Sequence, residues 1–353
     1  MRALPYALSF SLFGLAGAAF FLEGWWTFMP LLEAFLLIPL MELLMPPQPR
    51  NPSEEEKQLR LSDKSYDLLL YSVVPIHFAC LGLFLFQIYS HPEIDGLTRW
   101  GWISSMGILN GVFGINVAHE LGHRPKKSEQ RMAQLLLMTS LYMHFFIEHN
   151  RGHHRYVATP EDPASARKWE PVYFFWLRSI SMSWLSAWKL ENQRVKRSRK
   201  SHLQENQMLH FHLIQAGLIV LIGLVLGLSG LFAFLIAGGL GIILLETVNY
   251  IEHYGLCRMK VSPHRYEDVS PKHSWNSDHR MGRWMLFELS RHSDHHHRPA
   301  KKYQILEHRD DSPQMPTGYP GMMLISLIPP LFFALVHPRL PKTEALQSRL
   351  AGT

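Results

Sequence analysis

The sequence predicts an all-α polytopic membrane protein with six transmembrane helices and a helical, His-rich di-metal site at their cytoplasmic ends. Three observations lead there: apolar segments of membrane-spanning length, a one-sided distribution of lysine and arginine, and a crowd of histidines. The chain has 353 residues, 47% of them hydrophobic and only 18% charged. That average hides a split, because 3–45, 68–118 and 213–250 are dominated by apolar side chains while the rest is charged. Such a chain is too apolar to be disordered and too segregated to be a small soluble globule. Of its 21 histidines, 19 lie at or after His119.

A helix needs roughly 20 apolar residues to cross a bilayer. Spans are expected at 5–22, 25–45, 68–89, 100–118, 211–228 and 231–250, with short turns around Glu23-Gly24 and Ser229-Gly230. Ala16-Gly17-Ala18 resembles a signal-peptidase site, but apolar sequence runs on to Leu22, so an uncleaved span is expected. The stretch 132–147 is short for a crossing and reads as a buried or re-entrant helix. The stretch 321–336, with Pro329-Pro330 inside it, reads as docked on the bundle or lying in the interface.

Orientation follows from the basic residues. The loops 23–24, 90–99 and 229–230 hold only Arg99 among them, and the other lysines and arginines fall on the opposite side. Basic loops stay in the cytoplasm. Both termini and the segments 119–210 and 251–353 are therefore expected there, within one membrane-embedded catalytic domain over 1–353. The net charge of +6 suits an anionic inner leaflet. It is no argument for nucleic acid, for which the chain has no recognisable motif. The two cysteines, Cys80 and Cys257, are far apart. They exclude a disulfide framework, a Cys-type zinc site, an iron–sulfur cluster and a fused rubredoxin. No G-x-G-x-x-G joins a strand to a helix, so any electrons come from another protein.

Four histidine clusters carry the functional argument. His119-Glu120-Leu121-Gly122-His123 ends the fourth span, and on a helix its two imidazoles share a face. Glu148-His149-Asn150-Arg151-Gly152-His153-His154 offers an i, i+4 pair plus a neighbour offset by about 100°. His253 leaves the sixth span in Asn249-Tyr250-Ile251-Glu252-His253-Tyr254-Gly255, and taken alone it suits an ordinary interfacial role. Arg291-His292-Ser293-Asp294-His295-His296-His297 places His292, His295 and His296 at i, i+3 and i+4. H-E-x-x-H recurs by chance, but packing gives no reason for paired imidazoles beside an i−3 or i−4 partner. All four clusters fall on one face of the membrane. The nine spaced imidazoles exceed what one metal takes and suit two metals with four or five nitrogens each. Nitrogen-rich sites with open positions suit redox-active iron, though imidazole also accepts zinc, copper and nickel. Glu120, Glu252 and Asp294 are candidates to orient the rings and offset the metal charge, or are simply solvated charges at a membrane surface.

At these residues the chain resembles the integral-membrane alkane monooxygenases, the bacterial alkane ω-hydroxylases with a di-iron centre in the membrane fatty-acid desaturase-like superfamily. The resemblance covers roughly 50 to 340. It rests on HELGH, EHNRGHHRYVATPEDPASAR over 148–167, NYIEHYG, HSWNSDH over 273–279, RHSDHHH, and PQMPTGYPGM over 313–322. It implies that His119, His123, His149, His153, His154, His253, His292, His295 and His296 hold two Fe ions on the cytoplasmic side of the bacterial inner membrane. It further implies terminal hydroxylation of n-alkanes by O2, with electrons from rubredoxin and rubredoxin reductase. His273 and His279 fall in a motif expected to support the site, and His297 is expected at the surface.

An alkane has no polar group to hold, so its binding must come from apolar burial, roughly 0.8 kcal/mol per CH2. A channel between spans would deliver it from the bilayer. Glu33 is expected to face the bundle interior, and Gly238, Gly239 and Gly241 to permit close helix approach or a channel wall. Trp25, Trp26 and Phe35 are candidates to cap the channel. The basic run from Arg194 to Lys200 is a candidate dock for an acidic electron carrier, though topogenic charge also explains it. Rival readings are a zinc metalloprotease through HELGH, a related membrane di-iron fatty-acyl desaturase/hydroxylase or aromatic methyl monooxygenase, and a metal transporter.

Overall fold

The computed structural model describes residues 2–198, 201–263 and 265–341, without the side chain of His202. Arg199 and Lys200 of the expected basic dock lie outside the described residues. The described chain is helical apart from a small antiparallel hairpin, Lys260–Ser262 with Arg265–Tyr266. Apolar sequence alone accounts for the long helices, since every backbone polar group in a bilayer must be satisfied within its own segment.

α1 (Leu4–Ala19) and α2 (Gly24–Leu44) form the first hairpin, and Ser11 donates to the Glu33 carboxylate across it at 2.6 Å. Glu33 thus faces its neighbour helix, as the span reading required. A linker follows, carrying α3 (Glu54–Ser62), which starts on a Ser53/Glu56 capping box. α4 (Ser65–Ser90) is a long apolar helix. α5 (96–122) begins where Asp95 caps the Leu97 and Thr98 amides, widens into a π turn at Asn110–Ile115, and ends in the HELGH residues.

Among the described residues, three helical stretches are long and apolar enough to cross a membrane: Gly24–Leu44, Ser65–Ser90 and Gln207–His253. The difference from six has local causes. α1 is short. The expected fifth and sixth spans lie together in the 47 residues of Gln207–His253, divided at Gly227, whose φ of 67° no L residue adopts readily. The break therefore falls at Gly227 and not at Ser229-Gly230. The chain doubles back there to give α9 (207–226) and α10 (228–253). Gln215 accepts from the Met143 amide at 3.0 Å, while a Cβ on Gly238 would stand 3.4 Å from Ser140. On one straight helix those two residues would lie roughly 35 Å apart.

The stretch 132–147 is not one helix. α6 (Lys127–Met138) stops, Leu141 takes φ 55°, and α7 (145–156) begins afresh with a π turn at His149–His153. α8 (Val172–Ser198) runs beside α9 and α10. The short helices α11 (Arg280–Met285) and α12 (His292–His297) follow the hairpin. α13 (Tyr319–Ser326) and α14 (Pro329–Val336) divide at Pro329-Pro330. α13 packs on α10, as the docking expectation had it. Close approach is built from small residues: a Cβ on Gly107 would lie 2.7 Å from Leu240, and one on Gly241 would lie 2.6 Å from Asn110. These contacts seat α10 against α5 and bring His253 to the same end of the bundle as His119.

Candidate metal centre

Nine imidazoles converge at that end in two groups. His119, His123, His149, His154 and His295 form one; His153, His253, His292 and His296 form the other. Within each group the ligand atoms lie within 4.8 Å of one another. The groups adjoin, with the His154 and His296 rings stacked at 4.3 Å.

Backbone geometry decides the division. His119 and His123 share a face at i, i+4, as expected on α5. His149 and His153 do not pair. The π turn carries the His154 amide to the His149 carbonyl, an i+5 closure, and so aligns His149 with His154. His153 swings into the other group. On α12, His292 and His296 stay together at i, i+4 while His295 at i+3 points to the first group. Two helices thus each serve both groups.

The donor chemistry fits metal. His123, His149 and His154 bring their Nε2 atoms within 3.0–3.1 Å of one another, and His253 and His292 do so at 3.1 Å. Nitrogens at about 2.1 Å from a shared ion, at right angles, stand about 3.0 Å apart. The Nε2 atoms of His119, His153, His295 and His296 are buried with no hydrogen-bond partner among the described residues. A buried orphan nitrogen is costly unless something else occupies its lone pair. Burial pushes His119, His123, His149, His154, His292, His295 and His296 well below the ordinary histidine range, and neighbouring imidazoles add to it. They are neutral and offer lone pairs.

Supporting carboxylates differ from the expected set. Glu252 does reach a ring, its Oε2 lying 3.2 Å from His292 Nε2. Glu120 instead accepts from Arg124 at 2.7 Å, and Asp294 from Lys301 at 2.6 Å and Arg309. These two anchor the outer sides of α5 and α12. The His273 and His279 imidazoles lie outside both groups. His273 is held by Ser270 and Glu267, but its carbonyl faces His253 Nδ1 at 3.3 Å. His279 pairs with Ser277. His297 is exposed, as expected.

Two acids escaped the sequence reading. Asp162 takes His153 Nδ1 at 2.9 Å and the Ser165 hydroxyl at 2.6 Å. Burial works most strongly against a proton on His153, but the Asp162 charge and hydrogen bond, with the Glu148 and Glu246 charges, together outweigh it and raise the imidazole above its usual range. Its only sequence signal was its place, beside Glu161, in the loop after a His box. Glu148 sits fully buried beside the site, where burial pushes its carboxyl up to about 8, with the Asp162 charge adding to it.

An apolar cavity of about 850 Å³, including its mouth, runs between α1, α2, α5 and α10. Leu12, Phe35, Ile38, Val112 and Leu244 line it, and it ends on His119 and His149 of one group and His292 of the other. Phe35 therefore stands where a channel cap was expected. Trp25 and Trp26 do not, being 75% and 69% exposed on the outer surface.

Fold and site together define a helical membrane protein whose spans carry two adjoining histidine groups beneath an apolar chamber. Residues 97–325 match the fatty acid desaturase family. Alkane 1-monooxygenase 1 of Pseudomonas aeruginosa is 40% identical over 90% of this chain and 83% of its own. Alkane 1-monooxygenase 1 of Alcanivorax borkumensis is 40% identical over 90% of this chain and 78% of its own. The xylene/toluene monooxygenase hydroxylase component of Pseudomonas putida is 29% identical over 92% and 84%. The chain belongs to the fatty acid desaturase family, on the branch of the alkane monooxygenases.

Proposed function

We propose that this chain is a six-pass alkane monooxygenase of the bacterial inner membrane, one catalytic domain with its histidines on the cytoplasmic side. It hydroxylates the terminal carbon of n-alkanes to primary alcohols. The supporting observation is the apolar cavity that ends on histidines of both groups. One oxygen atom of O2 enters a terminal C–H bond and the other leaves as water, with two electrons and two protons consumed. All nine histidines hold two irons. Iron, when bound, supplies the redox chemistry that a closed-shell ion such as zinc lacks.

The chain's own residues supply the rest. The cavity binds the alkane by removing it from water and lipid, with each methylene worth roughly 0.8 kcal/mol against water. Its walls leave the terminal carbon as the part that reaches His119, His149 and His292. Asp162 orients His153 and the His273 carbonyl faces His253, each through Nδ1. Such outer contacts fix the rings and strengthen them as donors.

Rubredoxin, reduced by its reductase, is the electron donor. A groove lined by Arg167, Lys168, Lys272 and Arg339, against Glu267 and Asp311, runs to Asp162 and His273. An acidic carrier seated there lies one hydrogen bond from His153 and His253. This groove suits the role better than the region of Arg194, whose guanidinium is engaged by Glu191 at 2.7 Å.

The test combines metal content with product analysis. Two irons per chain, and a primary alcohol carrying label from ¹⁸O2 only when rubredoxin and reductase are present, are the expected results. His153→Ala and His295→Ala, each taking a ligand from a different group, should both abolish turnover with the helices intact. One zinc and no iron would sink the reading, as would an alkene product.

A further inference from the structure

A second cavity, of about 650 Å³ including its mouth, opens beside the start of α1, the linker carrying α3, and the end of α11 with Glu288 beyond it. It lies on the side of the molecule that carries the histidines, because its Asn51 exchanges hydrogen bonds with His308, just beyond α12. Its lining is polar and strongly cationic, with Arg2, Arg50, Arg60 and Arg283 facing Glu56 and Glu288. Arg283 grips Glu288 through two nitrogens at 2.7 and 3.1 Å, and Arg50 meets Glu56 at 2.8 Å. Those four charges cancel. Arg60 gives one nitrogen to the Gln304 carbonyl and, among the described residues, forms no direct ion pair, though Glu56 feels its charge. Arg2 feels the charge of Asp63, which stands outside the lining. The lining itself carries two guanidiniums more than carboxylates.

The position of this cavity matters as much as its charge. Arg2 precedes α1, Gln48 follows the end of α2, and Tyr66 opens α4. The cavity therefore sits where three apolar helices leave the bilayer. Leu4, Leu43 and Leu44 flank its lining residues in the chain and are 64%, 71% and 85% exposed. A free phosphorylated metabolite has no use for such a rim. A phospholipid meets both parts, with its phosphate on the guanidiniums and its tails along the leucines. Basic pockets between helices at the membrane surface hold anionic headgroups by this pairing.

We propose that this cavity is a binding site for the phosphate of an anionic phospholipid, held by Arg2 and Arg60. The inference needs only that the chain lies in a membrane, and it stands apart from the reaction and its metals.

The experiment uses the full-length protein in lipid nanodiscs. Phosphatidylglycerol should raise the unfolding temperature by several degrees over phosphatidylcholine, and native mass spectrometry should retain one phosphatidylglycerol per chain. Two guanidiniums near a headgroup give about a thirty-fold preference for the anionic lipid. Arg2→Glu with Arg60→Glu should erase both the increment and the retained lipid. Lys126→Glu with Lys127→Glu, at exposed positions away from the cavity, should preserve them. Equal loss in the two double variants would overturn the site in favour of diffuse surface charge. An equal increment from inorganic phosphate in detergent would overturn the lipid as its source. Should the arginine variants fail to fold, the lipid retained by the unaltered protein still decides, and none retained overturns the proposal.

Discussion

Asp162 touches His153 from outside the histidine group, and its replacement separates ring orientation from ring identity. Asp162→Asn keeps the size of the side chain and removes the charge. Outer-shell losses of this kind cost 10–100-fold in metal affinity or activity. The expected outcome is a loss of iron and turnover in about that range, with helicity unchanged by circular dichroism. Iron per chain and initial rate, measured on the same preparation, check it. The imidazoles of His149, His153, His154, His292, His295 and His296 were legible because their spacing is improbable for packing alone, whereas the lone His253 had no such signal. The division of the imidazoles was not legible. His149 and His153 look paired by α-helical periodicity, and only the hydrogen bond from the His154 amide to the His149 carbonyl reveals the wider turn. Asp162 was illegible for a different reason, since nothing in a loop sequence states which ring it folds back to meet.

At the scale of elements, the close seat of α10 against α5 positions His253. Gly241→Ala would force a Cβ to 2.6 Å from that of Asn110. Overpacking of this kind costs about 1–3 kcal/mol. The variant should unfold at lower temperature in a thermal melt and lose iron from the group that holds His253 more readily than from the other. The sequence marked the glycine-rich stretch as a close approach or a channel wall, and it did not say against which helix. The apolar runs were legible as helices, but their ends were not. Gly227, not the Ser229-Gly230 pair, reverses the chain, because positive φ is a property of one residue in its place and hydropathy does not register it.

Across the whole molecule, the cavity joins the spans to both histidine groups, and Phe35 lines it from α2. Phe35→Ala should shift the product distribution toward longer or bulkier alkanes in a competition assay. Trp25→Ala, altering a side chain 75% exposed on the outer surface, should leave that distribution unchanged. Orientation has its own test. Cys257 is exposed beyond the end of α10, and Cys80 is buried within α4. A membrane-impermeant maleimide should label Cys257 in inverted vesicles and not in intact spheroplasts, with Cys80 silent in both. Labelling in spheroplasts would reverse the proposed orientation. The one-sidedness of lysine and arginine is what predicts this topology, whereas the cavity had no signal in the sequence, since it belongs to no single segment.

The π turn at His149–His153 has a genetic meaning. A π turn is what an α-helix becomes when it gains one codon while its flanking turns stay in place. The added residue lets neighbouring histidines, His153 and His154, answer to different centres. No single substitution restores the narrower coil, since the surplus is in length and not in side chain. A lineage that acquired this insertion could exchange many of its surrounding residues and still keep both centres, but one lost triplet would merge the allegiances of His149 and His153. Variation in this stretch should therefore run through replacements, with gaps excluded.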